Sequence, residues 1–97
     1  MERITNKDVE QAFVRFTQAA GLKTGLPWQR QPDGSITAQV GTYYLQRHFQ
    51  SKWLVAQISN EQDGESNPFG SRLRTSREMM EALDFATMVI YAMKYAR

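Results

Sequence analysis

The sequence predicts an α+β fold in which two helices pack on one face of a three- or four-stranded antiparallel sheet, in the order α-β-β-β(-β)-α. Three observations carry that expectation. Apolar residues recur at three- and four-residue spacing near both ends of the chain, an N-capping pattern precedes each run, and the segment between them alternates with period two. Helices segregated from a continuous run of strands belong to the α+β class, whereas strict alternation with strands would give a parallel sheet.

The first helix starts near Thr5. Thr5 and Asp8 have capping-box spacing, and Ile4 and Val9 are placed to staple across the first turn. Val9, Ala12, Phe13, Phe16, Ala19 and Ala20 then form one apolar stripe, with Glu10, Arg15 and Gln18 off it. Gly21 is placed to end the helix in the left-handed conformation, with Leu22 as the apolar residue that closes such an end.

The middle of the chain reads as sheet. Residues 28–31 form a short strand that Pro32-Asp33-Gly34 reverses. In 35–40, Ile36, Ala38 and Val40 share a face, and Gly41 interrupts as a turn or a bulge. Residues 42–49 continue the alternation, with Tyr43, Leu45 and Phe49 on one side. Gln50-Ser51 makes a short reversal into 52–59, where Leu54, Ala56 and Ile58 share a face. With that face toward the helices, Trp53, Val55 and Gln57 point outward, joined by Tyr44, Gln46 and His48 of the neighbouring strand.

Residues 60–74 make a long polar connection, expected to be an exposed excursion with some local order and room for a short extra strand. Asp63-Gly64 and the Asn67-Pro68-Phe69-Gly70 run supply turn signals. Acidic Glu61, Asp63 and Glu65 precede basic Arg72, Arg74 and Arg77.

The second helix begins after Thr75, whose capping-box partner is Glu78, and runs from Ser76 nearly to the C-terminus. Met79, Ala82, Leu83, Ala86, Val89, Ile90 and Met93 fill an arc of about 120°, wide enough to dock on a sheet. Outside that arc lie Met80, Phe85, Met88, Tyr91 and Tyr95, interspersed with Glu81, Asp84 and Thr87. A lone helix on a small sheet shows water a more polar back than this. The surplus is expected to meet the first helix, a second copy of the chain, or another protein, with Phe85, Met88, Tyr91 and Tyr95 as the interface.

Composition narrows the function classes. Ninety-seven residues suit a single domain, 1–97, and 41% hydrophobic with two Trp, five Phe and four Tyr is enough apolar area for a core. The formal net charge is only +2. The absence of cysteine excludes disulfides, thiolate nucleophiles and Cys-based zinc sites, and the single His48 excludes a zinc site of several imidazoles. No apolar run approaches the ~20 residues that span a bilayer, and no charged-then-apolar leader opens the chain, so a cytoplasmic protein is expected.

No catalytic constellation emerges. His48 has no identifiable partner, and the acidic pairs Asp63/Glu65 and Glu81/Asp84 read as solvating. Glu61-Gln62-Asp63-Gly64-Glu65 lacks the regular oxygen ladder and terminal Glu of a calcium loop, and Gly-rich phosphate motifs are absent. The expectation is a protein that is not an enzyme and takes no metal or cofactor.

Two resemblances add context. The α-β-β-β-α order resembles the double-stranded-RNA-binding fold, whose last helix begins with a basic cluster that reaches phosphates. Arg72, Arg74 and Arg77 fall in that neighbourhood, and an outward Trp53 and Tyr44 would add a stacking surface. Residues 31–34 depart from that family's Gly-Pro-x-His loop, and Glu78 and Glu81 stand where it carries lysines. Nucleic-acid binding through these five residues is the alternative function.

The stretches Gly41-Thr42-Tyr43-Tyr44-Leu45-Gln46, Trp53-Leu54-Val55-Ala56-Gln57-Ile58-Ser59-Asn60-Glu61 and Pro68-Phe69-Gly70-Ser71-Arg72-Leu73-Arg74-Thr75-Ser76-Arg77-Glu78 together resemble small uncharacterised proteins of bacteriophages, prophages and some bacteria. That resemblance implies a mobile-element accessory protein in a bacterial cytoplasm and transfers no functional residue. The leading expectation is therefore a small protein-binding or modulator module.

Overall fold

The computed structural model describes residues 3–49, 52–62 and 64–95. The first helix, α1, spans Asn6–Ala20. Its N-terminus carries the reciprocal cap that the sequence predicts: the Asp8 amide donates to Thr5 Oγ1 at 3.2 Å, and the Thr5 amide donates to the Asp8 carboxylate at 2.8 Å. Its C-terminus closes through Gly21 at φ +68°, with the Gly21 amide donating to the Gln18 carbonyl and the Leu22 amide to the Thr17 carbonyl. This is a Schellman closure, and it needs the left-handed conformation that glycine adopts without a Cβ penalty.

Next come β1 (Trp28–Arg30) and β2 (Ile36–Ala38), an antiparallel hairpin in which Trp28 pairs with Ala38. The turn between them is held by Asp33, whose carboxylate accepts from the Ser35 hydroxyl at 2.6 Å and the Ser35 amide at 2.9 Å. Those bonds hold the Asp33 carboxyl below its ordinary pKa, the hydroxyl contributing most.

The expected meander divides at Gly41. β3 (Tyr43–His48), β4 (Lys52–Ile58) and β5 (Glu65–Ser66) form a separate three-stranded antiparallel sheet, ordered β3-β4-β5. The Gln50-Ser51 reversal lies outside the described residues. β5 is the short extra strand anticipated within 60–74. The rest of that connection is tied down more firmly than its polar composition suggests. Arg74 exchanges both backbone hydrogen bonds with Trp53, at 2.7 and 3.0 Å, and Phe69 meets Phe16 edge-to-face at 5.2 Å. Both ends of the β4 edge are thereby paired, by Arg74 at Trp53 and by β5 at Gln57 and Ile58. Gly64 sits close against the Asn60 side chain, which accepts its amide at 2.9 Å, so any Cβ there would collide.

The last helix, α2, spans Ser76–Tyr95. Its cap repeats that of α1: the Thr75 amide donates to Glu78 at 2.9 Å and the Glu78 amide to Thr75 Oγ1 at 3.1 Å. Both helices pack on one face of the three-stranded sheet. Their facing pairs advance together, Arg15 with Asp84 and then the Ala19 carbonyl with Lys94, so the helices run parallel. The core between them and the sheet consists of Val9, Ala12, Phe13, Phe16, Trp53, Val55, Met79 and Leu83.

This core reverses the expected facing of β4. Trp53 and Val55 point to the helices, together with Tyr43 and Leu45 across the β3–β4 ladder; Leu54, Ala56 and Ile58 point the other way. The reason is that β4 is buried on both faces. Its Lys52–Ile58 run is almost continuously enclosed, and a central strand of that kind carries no polar side by which to orient it. The opposite face is met by the hairpin, where Trp28 stands edge-to-face on Tyr44 at 5.5 Å. Phe49 lies past the end of β3 and is exposed.

Candidate protein interface

α2 has 20 residues and α1 has 15. At 1.5 Å per residue the difference is about 7 Å. The N-termini lie together, with Thr5, Asn6 and Ser76 around one shallow cleft, so the surplus length falls at the C-terminal end. Met79 and Leu83 are buried, and Met80, Ala86 and Ile90 pack partly against the core. Beyond them the core runs out. Of the residues that the helical arc assigns to the core, Met93 is 71% exposed at the end of α1, and Val89, at the edge of that arc, is 40% exposed.

α1 lies beside α2, as one of the expectations has it, but covers only one flank. Arg15 reaches Asp84 at 3.2 Å, and Lys94 donates to the Ala19 carbonyl at 2.7 Å, closing an orphan C-terminal acceptor of α1. An open groove of about 590 Å³ lies between the helix ends, lined by Ala19, Ala20, Ile90, Met93 and Lys94.

The far side of α2 is bare. Phe85 and Met88 are each 65% exposed, Tyr91 47% and Tyr95 80%. At 3.6 residues per turn, Phe85, Met88, Ala92 and Tyr95 fall within about 80° of one another, on the side opposite Met79, Leu83, Ala86 and Ile90. Their 3-4-3 spacing is that of a coiled-coil seam two heptads long. Tyr91 flanks the seam and stacks on Tyr95, ring centres 6.3 Å apart and 16° from parallel. Val89 and Met93 widen the patch on its other flank. All four residues expected to form an interface are thus exposed together, and three additions extend them: Val89, Ala92 and Met93. Ala92 follows from the periodicity of the seam, whereas Val89 and Met93 fall inside the arc that a helical wheel assigns to the core.

The residues of the alternative function are dispersed. Trp53 is 2% exposed, and its indole N–H donates to Ser76 Oγ at 3.0 Å, so the expected outward stacking platform is corrected: Trp53 is a core residue. Tyr44 lies on the opposite face of the sheet and donates its hydroxyl proton to Glu65. Arg72 reaches Glu78 at 3.4 Å, Arg74 is half-buried beside β4, and Arg77 is exposed on the first turn of α2. The Arg47 guanidinium lies 6.0 Å from the Trp53 ring centre, on the helix-facing side of the sheet.

The helix starts are already supplied with anions of their own. The Thr5 backbone and hydroxyl bonds hold the Asp8 carboxyl below its ordinary pKa, and those of Thr75, with Arg72 and Lys52 adding to them, do the same for Glu78. On the outer sheet face Gln46 donates to Glu65 at 2.9 Å and to the Tyr44 hydroxyl at 3.1 Å, and its carbonyl oxygen lies 3.3 Å from His48 Nε2. This is a hydrogen-bonded row spanning β3 and β5. Among the described residues no cluster of three or more His, Asp or Glu could hold a metal ion, and Asp63 of the 61–65 acidic run lies outside them. No described helix is long and apolar enough to cross a membrane.

No known protein family, curated protein or solved structure matches this chain.

Proposed function

We propose that the protein is a non-enzymatic protein-binding module that docks through the exposed apolar stripe of α2, acting as an accessory or modulator protein of a mobile element in a bacterial cytoplasm. One observation carries the docking: Phe85, Met88, Tyr91 and Tyr95 remain largely open to solvent while lying contiguously on one helix. Scattered exposed apolar residues are ordinary on any surface. A contiguous aromatic and methionine stripe is the composition of an adaptable interface. The phage and prophage context rests on the sequence resemblance alone.

The test is retention on an affinity-tagged chain offered a bacterial lysate to which an untagged copy has been added. The reading expects a protein to be held, to survive nuclease treatment, and to be lost when Met88→Glu and Tyr91→Glu are combined. Retention of nucleic acid that falls steeply with salt and disappears on replacing Arg72, Arg74 and Arg77 by Ala is the result of the rival reading. Retention of nothing, or of a protein indifferent to the α2 substitutions, contradicts the proposal.

A further inference from the structure

We infer that the occupant of the α2 stripe is a second copy of this chain, docked antiparallel about a two-fold axis near residue 90; the inference rests on the docking role proposed above. The first argument is area. At their observed exposures the six large side chains from Phe85 to Tyr95 leave roughly 700 Å² uncovered, taking about 150–250 Å² for each large side chain in full. Each partner of a standard interface buries ~800 Å², whereas the largest apolar patch on a stable monomer is about 300–600 Å². The patch thus has the size of half a dimer contact.

The second argument is self-complementarity. An isologous contact brings the same surface to itself, so residues must match when reversed. Reversal about position 90 sets Phe85 against the partner's Tyr95 and Met88 against the partner's Ala92. Large then meets small at the centre, and aromatic meets aromatic at both ends. The seam contains no charged residue from Phe85 to Tyr95, and Lys94 is turned away to the Ala19 carbonyl. Glu81, exposed one turn before Phe85, decides the direction. Parallel docking would place Glu81 against its own copy, whereas antiparallel docking carries the two carboxylates to opposite ends and aligns the helix dipoles head to tail.

Light scattering between 1 and 100 µM tests this. The wild-type chain is expected to approach twice its 11.2 kDa mass at 100 µM and to fall toward the mass of one copy at 1 µM. Met88→Glu, at an exposed position that leaves the fold and its circular dichroism unchanged, is expected to weaken association about 100-fold, since it places an unpaired charge at the centre of the contact. Ala92→Lys is expected to do the same. Mixing the two variants restores a dimer, because the carboxylate introduced on one copy then faces the ammonium introduced on the other. A wild-type chain that stays at the mass of one copy overturns the inference. So does a dimer that Met88→Glu leaves intact, or one that mixing fails to restore. If the untagged copy is not held in the retention experiment but another protein is, and Met88→Glu with Tyr91→Glu releases it, self-docking fails while the docking role stands. If nothing is held, both fail.

Discussion

Trp53 does two jobs. Its ring fills the space between the sheet and both helices, while its indole N–H and backbone tie β4 to Ser76 and Arg74, the residues that deliver the chain into α2. Trp53→Ala is therefore expected to cost about 3–5 kcal/mol, as large aromatic truncations in cores do, read as a lowered urea midpoint. Trp53→Phe keeps most of the volume and leaves the Ser76 hydroxyl to solvent, so a much smaller loss is expected. Equal losses for the two would contradict this division of roles.

The two capping carboxylates make a pH prediction at the same scale. Asp8 and Glu78 have folded pKa values below their ordinary ones, which lie near 4 for exposed carboxyls. Their contribution to stability is complete above the unfolded values and is lost as the pH falls through the lower folded values. The urea midpoint of the wild-type chain is expected to fall between about pH 5 and pH 2, and an Asp8→Asn, Glu78→Gln variant to fall less steeply over that window. Parallel curves would show that the caps carry no such linkage.

At the scale of the element, the helices are legible in the sequence and the sheet facing is not. Thr5 with Asp8, Gly21 with Leu22, and Thr75 with Glu78 are local signals: each satisfies backbone groups within a few residues of itself, so the sequence alone contains the whole interaction. Thr75→Ala is expected to cost about 1 kcal/mol, and Gly21→Ala a similar amount because its φ of +68° strains any Cβ. Thermal unfolding of each variant checks both.

β4 defeats the same reasoning because Leu54, Val55, Ala56 and Ile58 are all buried, and alternation carries no information where both faces are covered. What covers them is remote in sequence, with the helices on one side and the Trp28 hairpin on the other. The 60–74 connection is more firmly held than its sequence suggests for a related reason. Phe69 and Arg74 are single anchors, with no period to reveal them. Phe69→Ala removes the edge-to-face pair with Phe16 and about half a buried aromatic, and a loss of about 1–2 kcal/mol in the urea titration is expected.

At the scale of the whole molecule, a small sheet with two parallel helices of unequal length cannot enclose the apolar surface that its sequence carries. The shorter helix ends near Ile90, and α2 continues beyond it with Tyr91, Met93 and Tyr95 uncovered, while Phe85 and Met88 stand on the side of α2 away from the core. The exposure of Phe85, Met88, Tyr91 and Tyr95, the four residues proposed for docking, is legible because they stand away from a well-defined core arc. That of Val89 and Met93 is not, because a helical wheel gives angle and says nothing about where the neighbouring elements stop. Of the arginines in the alternative reading, Arg72 reaches Glu78 and Arg74 is tied to the β4 edge, which leaves that set dispersed.

The methionines report on this most directly, since Met79 is enclosed, Met88 lies at the centre of the seam and Met93 on its flank. With ¹³C-labelled methionine methyls, dilution from 1 mM to 10 µM should shift the Met88 signal most and Met93 less, while Met79 stays fixed. Signals that hold still at Met88 throughout the series, or a dilution response confined to Met79, would contradict docking through the α2 stripe.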